Sequence, residues 1–132
     1  MTLKIALDSV VIHETPLEEI HFDTNTIAVT FDDADEKRWK LTFKPYQAIQ
    51  TTTIDCYPFS NLVIDEAIDE NGYFQRYLLE VTDSQWIKAL QDELRLIDPH
   101  ATFLEKAHHY IFPFQDIVVE IIAWGYQLEE VY

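Results

Sequence analysis

Residues 27–43 read Ile27-Ala28-Val29-Thr30-Phe31-Asp32-Asp33-Ala34-Asp35-Glu36-Lys37-Arg38-Trp39-Lys40-Leu41-Thr42-Phe43. Ile27, Val29 and Phe31 recur at every second position, and Trp39, Leu41 and Phe43 do the same after a polar interval. Period two places each triplet on one face of a strand, because successive side chains of an extended chain point to opposite sides. Two such runs around a polar loop read as a β-hairpin, the unit from which antiparallel sheets are built.

The same pattern extends in both directions. Leu3, Ile5 and Leu7 alternate, and Ile20 to Asp23 precedes the hairpin across a Thr24-Asn25 turn. Thr15-Pro16 breaks the run between them. Gln47 to Tyr57 is rich in Thr and Ile and suits a strand. Asn61 to Glu70 is acidic, only partly periodic, and reads as a short helix or a long loop. Asn71-Gly72 is a strong turn signal, and Tyr73 to Val81 follows as a strand. His108 to Phe114 and Ile117 to Trp124 form a second hairpin that turns near Gln115-Asp116. Between these strands Trp86, Leu90, Leu94 and Ile97 fall at helical spacing. Thr82-x-x-Gln85 has the form of a capping box, and Asp98-Pro99 ends the helix. The expected fold is therefore α+β: a mostly antiparallel, twisted sheet of about five to seven strands packed on one main helix at about 83–97. Residues 1–132 are expected to form a single globular domain.

Charge restricts the function. The chain has 24 acidic against 9 basic side chains, a net of −15. Its apolar content of 48% and aromatic content of 14% supply a core, so it is not a disordered acidic tail. Nucleic acid is excluded as a partner, because phosphate binding needs a Lys/Arg surface. Two glycines, Gly72 and Gly125, are too few and too far apart for a phosphate-cradling loop. Met1–Val10 lacks the basic start and apolar run of a signal peptide, and no run is long enough for a membrane helix. Cys56 is alone and is expected as a small buried hydrophobe. A cytoplasmic location follows as the expectation, with no cofactor, no metal and no membrane partner.

Five groups of residues are candidates for function. Asp32, Asp33, Asp35 and Glu36 form one acidic run, and Asp65, Glu66, Asp69 and Glu70 another. Neither has the spacing of a calcium loop, and both suit a solvated surface or a face turned toward a basic protein. Tyr46, Tyr57 and Tyr73 lie near turn signals and are aromatic candidates for the same interface. His13, Glu14, Glu18, Glu19 and His21 could supply metal ligands, but Pro16 lies among them and their spacing matches no helical zinc motif. His108, His109, Tyr110, Asp116 and Glu120 share the C-terminal hairpin. Alternation sends His108 and His109 to opposite faces, and a turn at Gln115-Asp116 sets Glu120 opposite Ile111, one face away from Tyr110. One histidine is then expected at the surface and the other hydrogen-bonded near a sheet edge, with Glu120 paired to Lys106 or Arg95.

The stretch His108 to Ala123 resembles a closing block, His-Tyr-x-x-x-x-x-Asp-x-x-Val-Glu-x-x-Ala, of small uncharacterised bacterial proteins. A strand end at Val81 and a Ser-x-Trp helix start at Ser84-Gln85-Trp86 precede it in the same way. Some of those proteins are similar to immunity proteins encoded beside bacterial toxins. The resemblance covers the last third of the chain, and His109, Tyr110, Asp116 and Glu120 are its matching positions, with no catalytic role attached. It implies a bacterial single-domain protein. The leading expectation is a non-enzymatic acidic binding protein, an immunity-type inhibitor that docks a basic protein such as a nuclease toxin. The alternatives are a secretion-chaperone-like or other acidic adaptor, and a small metal-dependent enzyme built on the His, Asp and Glu residues of the C-terminal hairpin.

Overall fold

A computed structural model describes residues 1–15 and 17–132; Pro16, read above as a breaker after Thr15 and within the His13–His21 segment, lies outside the described residues. Nine strands occur among the described residues: β1 (Leu3–Leu7), β2 (Glu19–Phe22), β3 (Ile27–Asp32), β4 (Arg38–Phe43), β5 (Tyr46–Thr53), β6 (Leu78–Val81), β7 (His108–Pro113), β8 (Ile117–Ala123) and β9 (Tyr126–Glu130). One α-helix, α1 (Gln85–Ile97), lies between β6 and β7. The strands form two antiparallel sheets, ordered β1-β6-β7-β8-β5 and β2-β3-β4-β9.

The α+β class holds, with nine strands in place of the expected five to seven. The additional strand β9 pairs with β4, Leu128 opposite Leu41. The principal core is not between sheet and helix but between the two sheets. Ile27, Val29, Phe31, Leu41 and Phe43 from one sheet meet Leu78, Tyr110, Phe112, Val119 and Ile121 from the other. Phe112 is the aromatic hub: it meets Phe31 and Phe43 edge-on at 5.9 and 5.8 Å and stacks on Phe114 at 5.2 Å. The alternation in residues 27–43 thus faces a second sheet, which is what a half-buried strand requires.

The outer face of the five-stranded sheet is also covered, so β7 and β8 are buried on both sides. Three 3-10 turns at Ile54–Cys56, Phe59–Leu62 and Asp65–Ala67 run along this side. Leu62 from this segment, with Ile54, Tyr57, Phe59 and Ile64, packs on Leu79, Val81, Ile111 and Val118. The irregular segment therefore does much of the covering expected of the helix. No residue of α1 is buried. Cys56, expected inside, is exposed within this segment.

The β3–β4 hairpin is fixed by one carboxylate. Asp33 Oδ1 accepts the N–H groups of Asp35 and Lys37 at 2.8 and 2.9 Å, and Oδ2 accepts Trp39 Nε1–H at 2.8 Å. Glu36 takes a left-handed φ of 65° at the tip this loop creates. Burial alone would raise the Asp33 pKa, but the bonds from Trp39, Lys37 and Asp35 outweigh it and hold the group below its ordinary 3.8. A depressed native pKa contributes stability above the unfolded value that is lost as pH falls through the native one. Asp33→Asn is expected to cost about 1–3 kcal/mol at neutral pH, since an amide cannot accept at both positions. Urea midpoints at pH 7 and below pH 4 check this, and the gap between wild type and variant should narrow in acid.

Candidate functional site

The two acidic runs, 29 residues apart at their near ends in sequence, meet through backbone bonds. Ala34 N–H donates to Val11 O (2.8 Å) and His13 N–H to Asp32 O (2.9 Å). Ile12 N–H donates to Arg76 O, and Gln75 N–H to Ala67 O, both at 2.7 Å. Segments 32–34, 11–13, 75–76 and 67–69 thus run side by side and close one edge of the molecule. A cleft between them is lined by Val11, His13, Glu14, Ala34, Phe74 and Arg76. Arg76 ties this edge to the sheet: Nη1 donates to Pro113 O at 3.0 Å, and its guanidinium lies 5.1 Å from the Phe59 ring centroid and 5.8 Å from that of Phe74. Burial lowers the Arg76 pKa and the charge of Glu14 opposes that shift.

The acids of this edge divide into two kinds. Asp32 is held by Arg38 at 2.9 Å, Asp33 closes the hairpin, and Asp69 accepts from Asn71 N–H, Tyr73 N–H and Gln75 Nε2–H. Those three serve the fold. Asp35, Glu36, Asp65, Glu66 and Glu70 are exposed and turned to solvent. Of the three tyrosines, Tyr73 is 69% exposed and follows Glu70 in the same loop. Tyr46 is half-buried against the main core, and Tyr57 packs on the outer face of the five-stranded sheet. Burial, then the charge of Glu120, pushes the Tyr57 phenol up to about 12.

The C-terminal hairpin separates its four matching positions as strand alternation requires. Glu120 is opposite Ile111 and His109 opposite Ile122, so His109 and Glu120 are diagonal neighbours on the outer face. Tyr110 faces the inter-sheet core, packed on Phe43 and Tyr126, and burial raises its pKa. Asp116 sits at the exposed turn, and its carbonyl accepts Ile54 N–H. His108 is exposed and bonded to Glu80 at 2.9 Å. His109 is in the middle strand of its sheet, not near an edge. Glu120 pairs with His109 and with neither Lys106 nor Arg95: Arg95 meets Glu105, and Lys106 lies over the Trp124 ring.

His109 has both ring nitrogens occupied. Nε2 meets Glu120 Oε1 at 2.9 Å, and Nδ1 meets Ser84 Oγ at 2.7 Å. Ser84 is the N-cap of α1 and accepts Ile87 N–H at 3.1 Å. The capping residue is therefore Ser84, two positions after Thr82. For a neutral imidazole beside an ionised Glu120, the order that satisfies both bonds is Nε2–H donating to Glu120 and the Ser84 hydroxyl donating to Nδ1. This order resembles a hydrolytic relay with the two nitrogens exchanged. Yet Ser84 is only 7% exposed and its oxygen already caps the helix, so the chain of bonds acts as a clamp between α1 and the sheet. Trp86 rests edge-on against the His109 ring at 5.4 Å and shields it. No three His, Cys, Asp or Glu side chains converge for a metal among the described residues.

Ser84 and Arg76 were not among the residues selected from the sequence. Ser84 had a legible signal, a capping residue directly before a helical repeat. Arg76 had none, since its partners Phe59, Phe74 and Pro113 come from three separate segments.

No helix among the described residues is long and apolar enough to cross a membrane. No protein-family model matches the chain, and no curated protein matches it. The crystal structure of an uncharacterised protein from Neisseria gonorrhoeae matches 99% of this chain and 100% of its own, at 14% identity and a TM-score of 0.44.

Proposed function

We propose that the protein is a non-enzymatic binding module that docks a basic protein on the edge where its two acidic loops join, as an immunity-type inhibitor of a basic toxin would. The observation that carries this reading is the backbone stitching of segments 32–34, 11–13, 75–76 and 67–69. It brings the exposed Asp35, Glu36, Asp65, Glu66 and Glu70 to one edge with Tyr73 beside them. Like charges held on a rigid edge produce a directed field, which steers an oppositely charged partner and raises its association rate. Tyr73 supplies the aromatic contact that interfaces concentrate energy on. The reading places the protein in the cytoplasm, where the exposed thiol of Cys56 stays reduced.

The test is a low-salt pull-down from the native cells, followed by association kinetics of the purified partner. The association rate should fall steeply with ionic strength. Joint replacement of Asp35, Glu36, Asp65, Glu66 and Glu70 by their amides should slow it about tenfold or more at low salt. Tyr73→Ala should act mainly on dissociation. A rate indifferent to both salt and amide replacement would sink the proposal.

A further inference from the structure

We infer that the cleft beside Arg76 is a site for a small zwitterion, an α-amino acid with an apolar side chain, whose carboxylate meets Arg76 and whose ammonium meets Glu14. Arg76 is the arginine that the fold leaves without a counter-charge. The chain has three arginines and 24 acidic side chains. Arg38 meets Asp32 and Glu19, and Arg95 meets Glu105. Arg76 makes no ion pair among the described residues, and its side chain donates there only to Pro113 O. A guanidinium carries five N–H donors in a planar fork, so most of those on Arg76 face no protein acceptor. The group is nevertheless half-buried, and it lines a cleft of about 210 Å³. Pro113 O and the Phe59 and Phe74 rings hold it in place, so little side-chain freedom is left to lose on binding.

The rest of the lining defines what Arg76 can meet. Thr15 N–H donates to His13 Nδ1 at 2.9 Å, so the neutral ring keeps its proton on Nε2 and brings a second donor to the cleft. Glu14 brings one anion; its side chain is exposed and forms no ion pair among the described residues. It does not touch Arg76, yet it is near enough for its charge to act on that group. A cation and an anion on one cleft, with a gap between them, match a ligand that carries both charges. Val11, Ala34 and Phe74 supply an apolar wall for its side chain.

Charge narrows the ligand further. The arginine fork suits carboxylate and phosphate alike. The cleft lies between the two acidic loops of a chain with net charge −15, and that field repels a dianion more than a monoanion. A zwitterion adds no net charge, and its ammonium is drawn by the same acids that repel phosphate. The site needs no protein partner and stands apart from the docking of a basic protein.

Two-dimensional NMR of the full chain tests the inference, with L-leucine, L-alanine, 4-methylpentanoate, isoamylamine and inorganic phosphate as separate titrants. The third is leucine without its ammonium, and the fourth is leucine without its carboxylate. Leucine should bind saturably with a Kd of about a millimolar, moving the amides of residues 11–14 and 74–76 and the Arg76 Nε–H. Each truncated analogue should bind about tenfold more weakly. Arg76→Lys keeps the charge but loses the fork, and should weaken leucine about tenfold. Glu14→Gln, at an exposed position, should keep the wild-type circular dichroism spectrum and bring leucine down to the affinity of 4-methylpentanoate. Saturation by phosphate in place of the amino acids would overturn the inference, as would equal binding of leucine and 4-methylpentanoate. So would leucine binding that Glu14→Gln leaves intact, or an absence of shifts at these residues with both leucine and alanine.

Discussion

His109→Ala should be among the most damaging single substitutions outside the inter-sheet core, costing about 3–5 kcal/mol. The side chain is 6% exposed and holds two elements at once. Its loss leaves Glu120 with no partner at Nε2 and removes the acceptor of the Ser84 hydroxyl. An uncompensated carboxylate on a mostly buried sheet face is the expensive part. Ser84→Ala removes the helix cap and should cost about 1 kcal/mol. Glu120→Gln keeps an acceptor opposite Nε2 and should also be mild. The order His109→Ala well above Ser84→Ala and Glu120→Gln is the content of the prediction, and urea denaturation measures it. Hydrogen exchange adds a local readout. In Ser84→Ala the amides of the first turn of α1 should lose protection before those of β7 and β8. Glu120→Gln has an optical signature as well. Burial is the larger cause of the raised Tyr57 pKa and remains in the variant, so removing that charge should lower the phenol from about 12 only part of the way, followed by ultraviolet titration at alkaline pH. A Tyr57 titration unchanged by the substitution would show that Glu120 does not set the field on this face.

Phe112→Ala should be as severe or worse, with a cost of about 3–5 kcal/mol from lost burial and the cavity left behind. Phe112 is fully buried, and its ring contacts join both sheets through Phe31 and Phe43. Domains of this size are stable by only about 5–15 kcal/mol, so the variant should approach global unfolding near body temperature. Leu41→Ala, on the facing sheet, tests whether the effect belongs to the shared core. The two substitutions should be less than additive, because both open the same inter-sheet space. Ile97→Ala, at the exposed end of α1, should leave monomer stability nearly unchanged. A large loss there would contradict the placement of the principal core between the sheets.

The alternating runs Ile27–Phe31 and Trp39–Phe43 were legible because period two records which side of a strand meets apolar matter. The split of the C-terminal hairpin was legible for the same reason: once the turn is at Gln115-Asp116, register follows by counting, and Glu120 must oppose Ile111. The partner of Glu120 was not legible. Two residues on one sheet face can meet directly or diagonally, and the choice depends on rotamers and on what covers the face. Trp86 and Ser84 cover His109, and that decided the pairing. The acidic runs were visible as composition, but not the fact that Asp32, Asp33 and Asp69 are consumed by the fold while their neighbours are free. Local spacing does not reveal that Trp39 Nε1 will seek Asp33, or that Gln75 will seek Asp69.

By itself the sequence determined the alternating runs of β3, β4, β7 and β8, the position and end of α1, the principal turns and the large negative charge, but neither β9 nor the late start of β6 at Leu78. Each feature it determined depends on residues within a few positions of one another, where periodicity and turn chemistry act. The tertiary structure alone decided that the strands divide into two facing sheets and that an irregular segment takes the place expected for the helix. It also decided that segments 11–13 and 75–76 draw the acidic loops to one edge. Those outcomes depend on which distant apolar faces cover each other, a competition over buried area that short-range patterns do not record.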